Sequence, residues 1–201
     1  MATKRRASNR SRKDTPGGPE LLVLELQDIH SAERQLAAVL PRMAKAMRSG
    51  ELKQMMEERL TKGEMLLRDI EGALEEEGES PGRKKNVAAE GLIADAREQM
   101  QEIESGPALD SVLTAAMQKT EHYCIASWGT AKALASATGQ TTAVRAMDRA
   151  LKDGGKFDER LTQLAESKLM PALLAMESGE EEPRGGTRRS GRKRGGSEAR
   201  A

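Results

Sequence analysis

Along the first fifty residues, apolar positions return at alternating steps of four and three: Leu22, Leu26, Ile29, then Glu33 out of character, then Leu36, Leu40, Met43 and Met47. That is the spacing of a helix packed along one face. It predicts a first helix starting near Pro19 and Glu20, a proline and an acid suited to a first turn. Pro41 inside the pattern predicts a kink or a local break, and Ser49-Gly50 ends the run. A second helix over 51–77 lines up Met56, Leu60, Gly63, Leu67, Ile70 and Leu74. The loop EGESPGRKKN separates it from a shorter helix, roughly 87–104, with Leu92, Ala96, Met100 and Ile103 on one side.

SGP at 105–107 breaks the chain again, with Pro107 placed to open a long helix to about Thr138. Its seam reads Leu113, Met117, Thr120, Cys124, Ser127, Ala131 and Leu134, and Gly139 is the expected stop. Thr141 or Thr142 is the expected cap of a last long helix using Ala143, Met147, Ala150, Gly154, Phe157, Leu161 and Leu164, which Pro171 and Gly179 fray out. Four long amphipathic helices and one short connector predict an all-α fold, a four-helix bundle with an additional crossover helix. The pairs 20–77 and 107–170 read as antiparallel hairpins, and 78–106 as the crossover between them.

Composition agrees with helices. Hydrophobic residues make up 37% and charged residues 32%, with one Trp, one Tyr and one Phe, so sheets would have little to pack with. A single cysteine excludes an internal disulfide. The basic start MATKRRASNRSRKDTPGGPE has no apolar run behind it, and no segment approaches the ~20 apolar residues of a membrane span, so a cytoplasmic protein without membrane contact is expected.

The net charge of +1 hides a division. Residues 1–19 carry +5 and residues 178–201 carry +3, leaving −7 on 20–177. Two basic ends rich in Gly, Ser and Arg cannot bury enough apolar surface to order themselves, so three regions follow: a basic disordered tail over 1–19, the bundle over 20–177, and a second basic disordered tail over 178–201. RGGTRRSGRKR at 184–194, with Arg188, Arg189, Arg192, Lys193 and Arg194, could neutralise phosphates and bind nucleic acid without reading sequence. Neither tail has an aromatic residue for base stacking.

Glu33 stands where the seam demands an apolar residue. A buried carboxylate costs several kcal/mol unless it is paired or binds a metal. Glu64 and Glu121 flank the seams of their own helices, and carboxylates converging from several helices with a histidine nearby are how two-metal bundles hold their ions. His30, three residues before Glu33, has ligand spacing, and His122 follows Glu121 directly, about 100° around the helix. The alternative pairs Glu33 with an arginine such as Arg59 and leaves the other acids solvated. Cys124 reads as a small buried hydrophobe, with a redox or ligand role only if its pKa is lowered. Trp128 and Tyr123 read as packing residues.

DIHSAERQL (28–36), AAEGLI (88–93) and AAMQKTEHYCIASWGTAKALA (115–135) resemble the YciE/YciF-type ferritin-like family, over about residues 20–166. The resemblance implies a ferritin-like bundle, usually dimeric, among bacterial stress-associated proteins, with a two-metal carboxylate site between its helices. The carry-over is partial. Glu33 and the preceding Asp28 match the first helix; on the second, Thr61 stands for an acid and Glu64 keeps one. On the third long helix Glu121, His122 and Tyr123 match but Cys124 replaces an acid. On the last, Gly154 replaces one and Asp158 is retained. Glu33, Glu64 and Glu121 supply three negative charges against +4 to +6 for a di-iron pair.

The resulting expectation is a non-enzymatic, stress-associated structural or interaction protein, homodimeric, with a degraded di-metal site and no cofactor. The first alternative is an iron or manganese protein that reduces peroxide or oxidises iron through Glu33, Glu64, Glu121, His30, His122 and Asp158. The second is a nucleic-acid-associated bundle acting through its tails. With no metal bound, Glu33→Leu is expected to stabilise the fold.

Overall fold

A computed structural model describes residues 15–177. Residues 1–14 of the first basic tail and all of the second, with the phosphate-binding candidates Arg188 to Arg194, lie outside these described residues, while Gly18 and Pro19, expected in the tail, belong to the first helix.

The chain forms α1 (Gly18–Ala46), α2 (Gly50–Glu76), α3 (Val87–Glu102), α4 (Pro107–Thr138), α5 (Thr141–Leu164), a π turn (Ala165–Leu169) and α6 (Met170–Glu177), with no strand among the described residues. α1 packs along α2 and α4 along α5, while α1 against α4 and α2 against α5 close the bundle. α3 crosses over α1 and α4. The predicted all-α bundle of two hairpins with a crossover is the architecture found.

Local chemistry explains the ends. Proline near the start opens both α1 and α4. Ser49 caps α2 by accepting from the Leu52 N–H, and Asn86 caps α3 by accepting from the Ala89 N–H at 2.8 Å. Gly139, at φ 78°, ends α4 in the left-handed conformation that glycine adopts without strain. α5 departs from expectation: Gln140, not Thr141 or Thr142, precedes it without a side-chain cap, and the Thr142 hydroxyl donates to Glu76 at 2.8 Å instead. α1 runs on through Pro41, which lies exposed, rather than breaking there. The chain also continues past Pro171 in α6, where the helix has just widened into the π turn ahead of a residue that has no N–H to give.

Two further polar residues fasten the halves together. Asp110, buried near the start of α4, accepts the backbone N–H groups of Arg48 and Ser49, both at 2.7 Å, at the α1–α2 corner. Asn86 reaches from the crossover to α1 and α4: its amide nitrogen donates to Asp28 Oδ2 at 2.7 Å and to the Tyr123 hydroxyl at 2.6 Å. Tyr123 is thus a polar anchor as well as a packing residue.

The apolar core falls into two clusters. One holds Leu36 to Met47, Leu52 to Met56, Leu109 to Met117 and Phe157 to Leu169; the other holds Leu22 to Ile29, Leu66 to Leu74, Cys124 to Ala135 and Ala143 to Ala150. Along every long helix the gap between the two falls at the same level, at Glu33, Arg59 with Gly63, Glu121 and Gly154.

Candidate functional site

That level is a charged layer. Glu33 from α1 is 1% exposed, Arg59 from α2 is 5% and Glu121 from α4 is 0%. The Arg59 guanidinium lies between the two carboxylates. Its Nη2 donates to Glu33 Oε1 at 2.9 Å, its Nη1 to Glu33 Oε2 at 3.1 Å, and its Nε to Glu121 Oε2 at 2.8 Å. The fork on Glu33 is bidentate, the strongest pairing arginine makes with a carboxylate. The Arg59 Cζ sits 5.6 Å from the centre of the Trp128 ring, within range of a cation–π contact.

Small residues make room for this cluster. A Cβ at Gly63 would lie 3.0 Å from both Arg59 Nη1 and Glu33 Oε2. One at Gly154 would lie 2.7 Å from Glu121 Oε1 and 2.5 Å from Trp128 Cζ3. The helix-weakening glycine on the seam of α5 is therefore a seat for the Trp128 ring and the Glu121 carboxylate.

The charges shift one another. Burial lowers the Arg59 pKa, but the charges of Glu33 and Glu121 outweigh it and hold the pKa well above the ordinary arginine value. Burial raises the Glu121 carboxyl, with Arg59 pulling the other way. Its Oε1 and the Trp128 Nε1 are buried without a hydrogen-bond partner. Burial, and next the Glu33 charge, push the Cys124 thiol well above its usual range, which makes it a poor nucleophile and favours its reading as a buried hydrophobe.

Of the six metal candidates the structure brings Glu33 and Glu121 together in the core, and sets His122 beside Asp158 as a separate pair outside it. Glu64 is exposed, because α2 turns Arg59, Gly63 and Leu66 inward and leaves Leu60 and Leu67 half-buried. His30 is buried, but its Nε2 meets Glu71 at 2.9 Å, on the solvent side of α2. His122 is 67% exposed and its Nε2 faces Asp158 at 3.4 Å; neighbouring Glu121 points inward, as their separation around the helix requires. Among the described residues no group of three or more His, Cys, Asp and Glu is placed to hold a metal ion. These residues do not fit a metal pair: three of the four oxygens of Glu33 and Glu121 already take Arg59 N–H groups, and one of their two negative charges is already neutralised.

Arg59 is the residue that a seam of leucines and methionines passes over. The signal for it was the demand of Glu33 for a partner, together with steps of three from Met56 and four to Gly63. Asp110 and Asn86 were missed because each looks like an ordinary helix-start residue: the amides Asp110 accepts from lie about sixty residues away, and Asn86 donates to a carboxylate and a hydroxyl on two other helices.

A cleft of about 230 Å³ runs from the surface between α2 and α5 down to Arg59, Glu121 and Trp128, walled by Leu66, Ala146 and Phe157. Three exposed ion pairs join α2 to α5 at its mouth: Arg160 with Glu58 at 2.6 Å, Lys62 with Asp153 at 3.1 Å and Arg149 with Asp69 at 2.5 Å. No helix of the described residues is long and apolar enough to cross a membrane.

Comparison with known proteins places the chain. YciF of Escherichia coli strain K12 is 36% identical over 141 residues, 70% of this chain and 85% of that protein. The crystal structure of the E. coli stress protein YciF superposes with a TM-score of 0.71 at 34% identity, covering 75% of this chain and 96% of that one. YcfI from Rhodopseudomonas palustris matches with a TM-score of 0.70 at 29% identity, covering 75% and 96%. A Xanthomonas campestris protein shares the fold at a TM-score of 0.67 and 18% identity, covering 80% and 99%. The family described as a domain of unknown function, DUF892, matches residues 19–173. The resemblance read from the sequence holds, and the chain belongs to the DUF892 family, with YciF as a relative.

Proposed function

We propose that this protein is a non-enzymatic, stress-associated structural or interaction protein, built on a bundle whose di-metal site has degraded. The observation that carries the reading is the Arg59 guanidinium seated between Glu33 and Glu121. A two-metal oxidase must collect several anionic oxygens around its ions and leave a coordination position open for substrate. Here a side-chain cation uses the oxygens, Glu64 and His122 face outward, and Gly154 offers no ligand at all. The likeness to a protein described as a stress protein supports the physiological setting. A cytoplasmic homodimer belongs to the same proposal, and light scattering of the purified chain checks its mass.

The test is catalytic. Purified protein loaded with Fe(II) or Mn(II) should consume Fe(II) and peroxide no faster than the free ions do. Turnover above that background, abolished by Glu33→Gln and by Glu121→Gln, would replace this reading with that of a metal-dependent oxidase or peroxidase.

A further inference from the structure

We infer that Arg59 is the resident cation of the bundle core: α2 supplies from its own backbone the positive charge that a bound metal would bring to Glu33 and Glu121, and so keeps divalent metals out. The inference deepens the reading above and rests on it.

Three observations carry it. The guanidinium uses three N–H groups on two carboxylates from two other helices, so it cross-links α1, α2 and α4 as an ion between them would. The charge it supplies is fixed, because arginine stays protonated and the flanking carboxylates hold it so. Finally, glycine at 63 keeps α2 clear of the Arg59–Glu33 fork, and glycine at 154 keeps α5 clear of Glu121 and Trp128. With Arg59 in place, an incoming divalent ion would meet a like charge and find most of the oxygens taken. Without it, two buried carboxylates would be left with no cation between them, one of them, Glu121, on the wall of the cleft between α2 and α5. Two carboxylates, with water completing the coordination, suit a single Zn(II) or Mn(II) ion, and binding would relieve the repulsion between the acids.

The experiment compares the full-length wild type with Arg59→Lys, Arg59→Ala and Arg59→Ala/Glu33→Gln. Each is stripped with chelator, loaded with Zn(II) or Mn(II), desalted and measured for bound metal and for melting temperature. Wild type and Arg59→Lys, which keeps a cation, should retain only traces. Arg59→Ala should retain about one equivalent and melt higher with metal than without, and the double variant should lose both effects. Should Arg59→Ala be unfolded when stripped, recovery of its helical circular dichroism on adding metal serves as the readout.

The inference is overturned if Arg59→Ala gains neither metal nor stability, if Arg59→Lys loads as fully as Arg59→Ala, or if wild type retains an equivalent through Glu33. An empty Arg59→Ala with an inactive wild type sinks this inference alone. Metal-dependent turnover by the wild type sinks the proposed function.

Discussion

The two apolar clusters on either side of the charged layer are filled with different side chains. The cluster around the α1–α2 corner contains five methionines, at 43, 47, 55, 56 and 117, which adapt to irregular space. The opposite cluster contains six alanines, at 73, 131, 135, 143, 146 and 150, mostly on α4 and α5. Small residues there leave little between the helices, so that end depends on close fit, whereas the methionine end depends on volume. Between them the Glu33, Arg59 and Glu121 layer obeys neither rule. It replaces apolar filling with charge, and it holds because one guanidinium is shared by both carboxylates.

The largest effect should come from breaking the layer itself. Glu33→Leu, which the sequence alone suggested would stabilise a metal-free core, instead leaves Nη1 and Nη2 of Arg59 buried without partners, and should cost about 3–5 kcal/mol in urea unfolding. The triple substitution Glu33→Leu/Arg59→Met/Glu121→Leu should recover most of that loss, since replacing a whole buried charge cluster by apolar side chains is often neutral. A single Glu33→Leu more stable than wild type would show that the pairing contributes nothing.

The contrast between the two ends comes next. Ala143→Leu in the tight cluster should cost about 1–3 kcal/mol by overpacking, while Met55→Leu in the other should cost less than about 1.5 kcal/mol. Equal costs would mean that both ends are packed alike.

Adjacent glycines give a sharper version of the same comparison. At Gly154 an added methyl meets Trp128 and Glu121, so Gly154→Ala should lose about 1–2 kcal/mol despite better helix propensity. At Gly155 an added methyl meets nothing within 4 Å, so Gly155→Ala should gain up to about 1 kcal/mol.

The smallest effect is on pH dependence. Because burial raises the Glu121 pKa in the folded protein, the native state holds a proton that the unfolded chain has already released over the range just above ordinary glutamate values. Stability from this group therefore falls as pH rises through that window, and Glu121→Gln should flatten the slope of unfolding free energy against pH there. A slope unchanged in Glu121→Gln would assign it elsewhere, for instance to Glu25, which burial raises in the same direction.

Helix boundaries, hairpin pairing and the seam of α5 were legible because spacing reports burial directly: every residue expected on that seam is buried. The seam of α2 was half legible. Met56, Gly63, Ile70 and Leu74 are buried as expected, but Leu60 and Leu67 look like better core residues than Arg59, and only the need of a buried glutamate for a cation argues otherwise. Individual helices announced Glu33 and Glu121, but their convergence on one arginine depends on how three helices rotate against each other, which no single periodicity encodes. Glu64 and His122 misled for the same reason, since a residue beside a seam can turn inward or outward by a small rotation.

The Asp110 carboxylate has a consequence for how the chain assembles. The turn joining the first two helices ends with the amides of Arg48 and Ser49, and their acceptor arrives from beyond the crossover, at the head of the second hairpin. An N-terminal half made alone would expose those amides to water and leave its buried arginine without Glu121. The hairpins should therefore acquire their structure jointly, and limited proteolysis should yield no stable half-molecule.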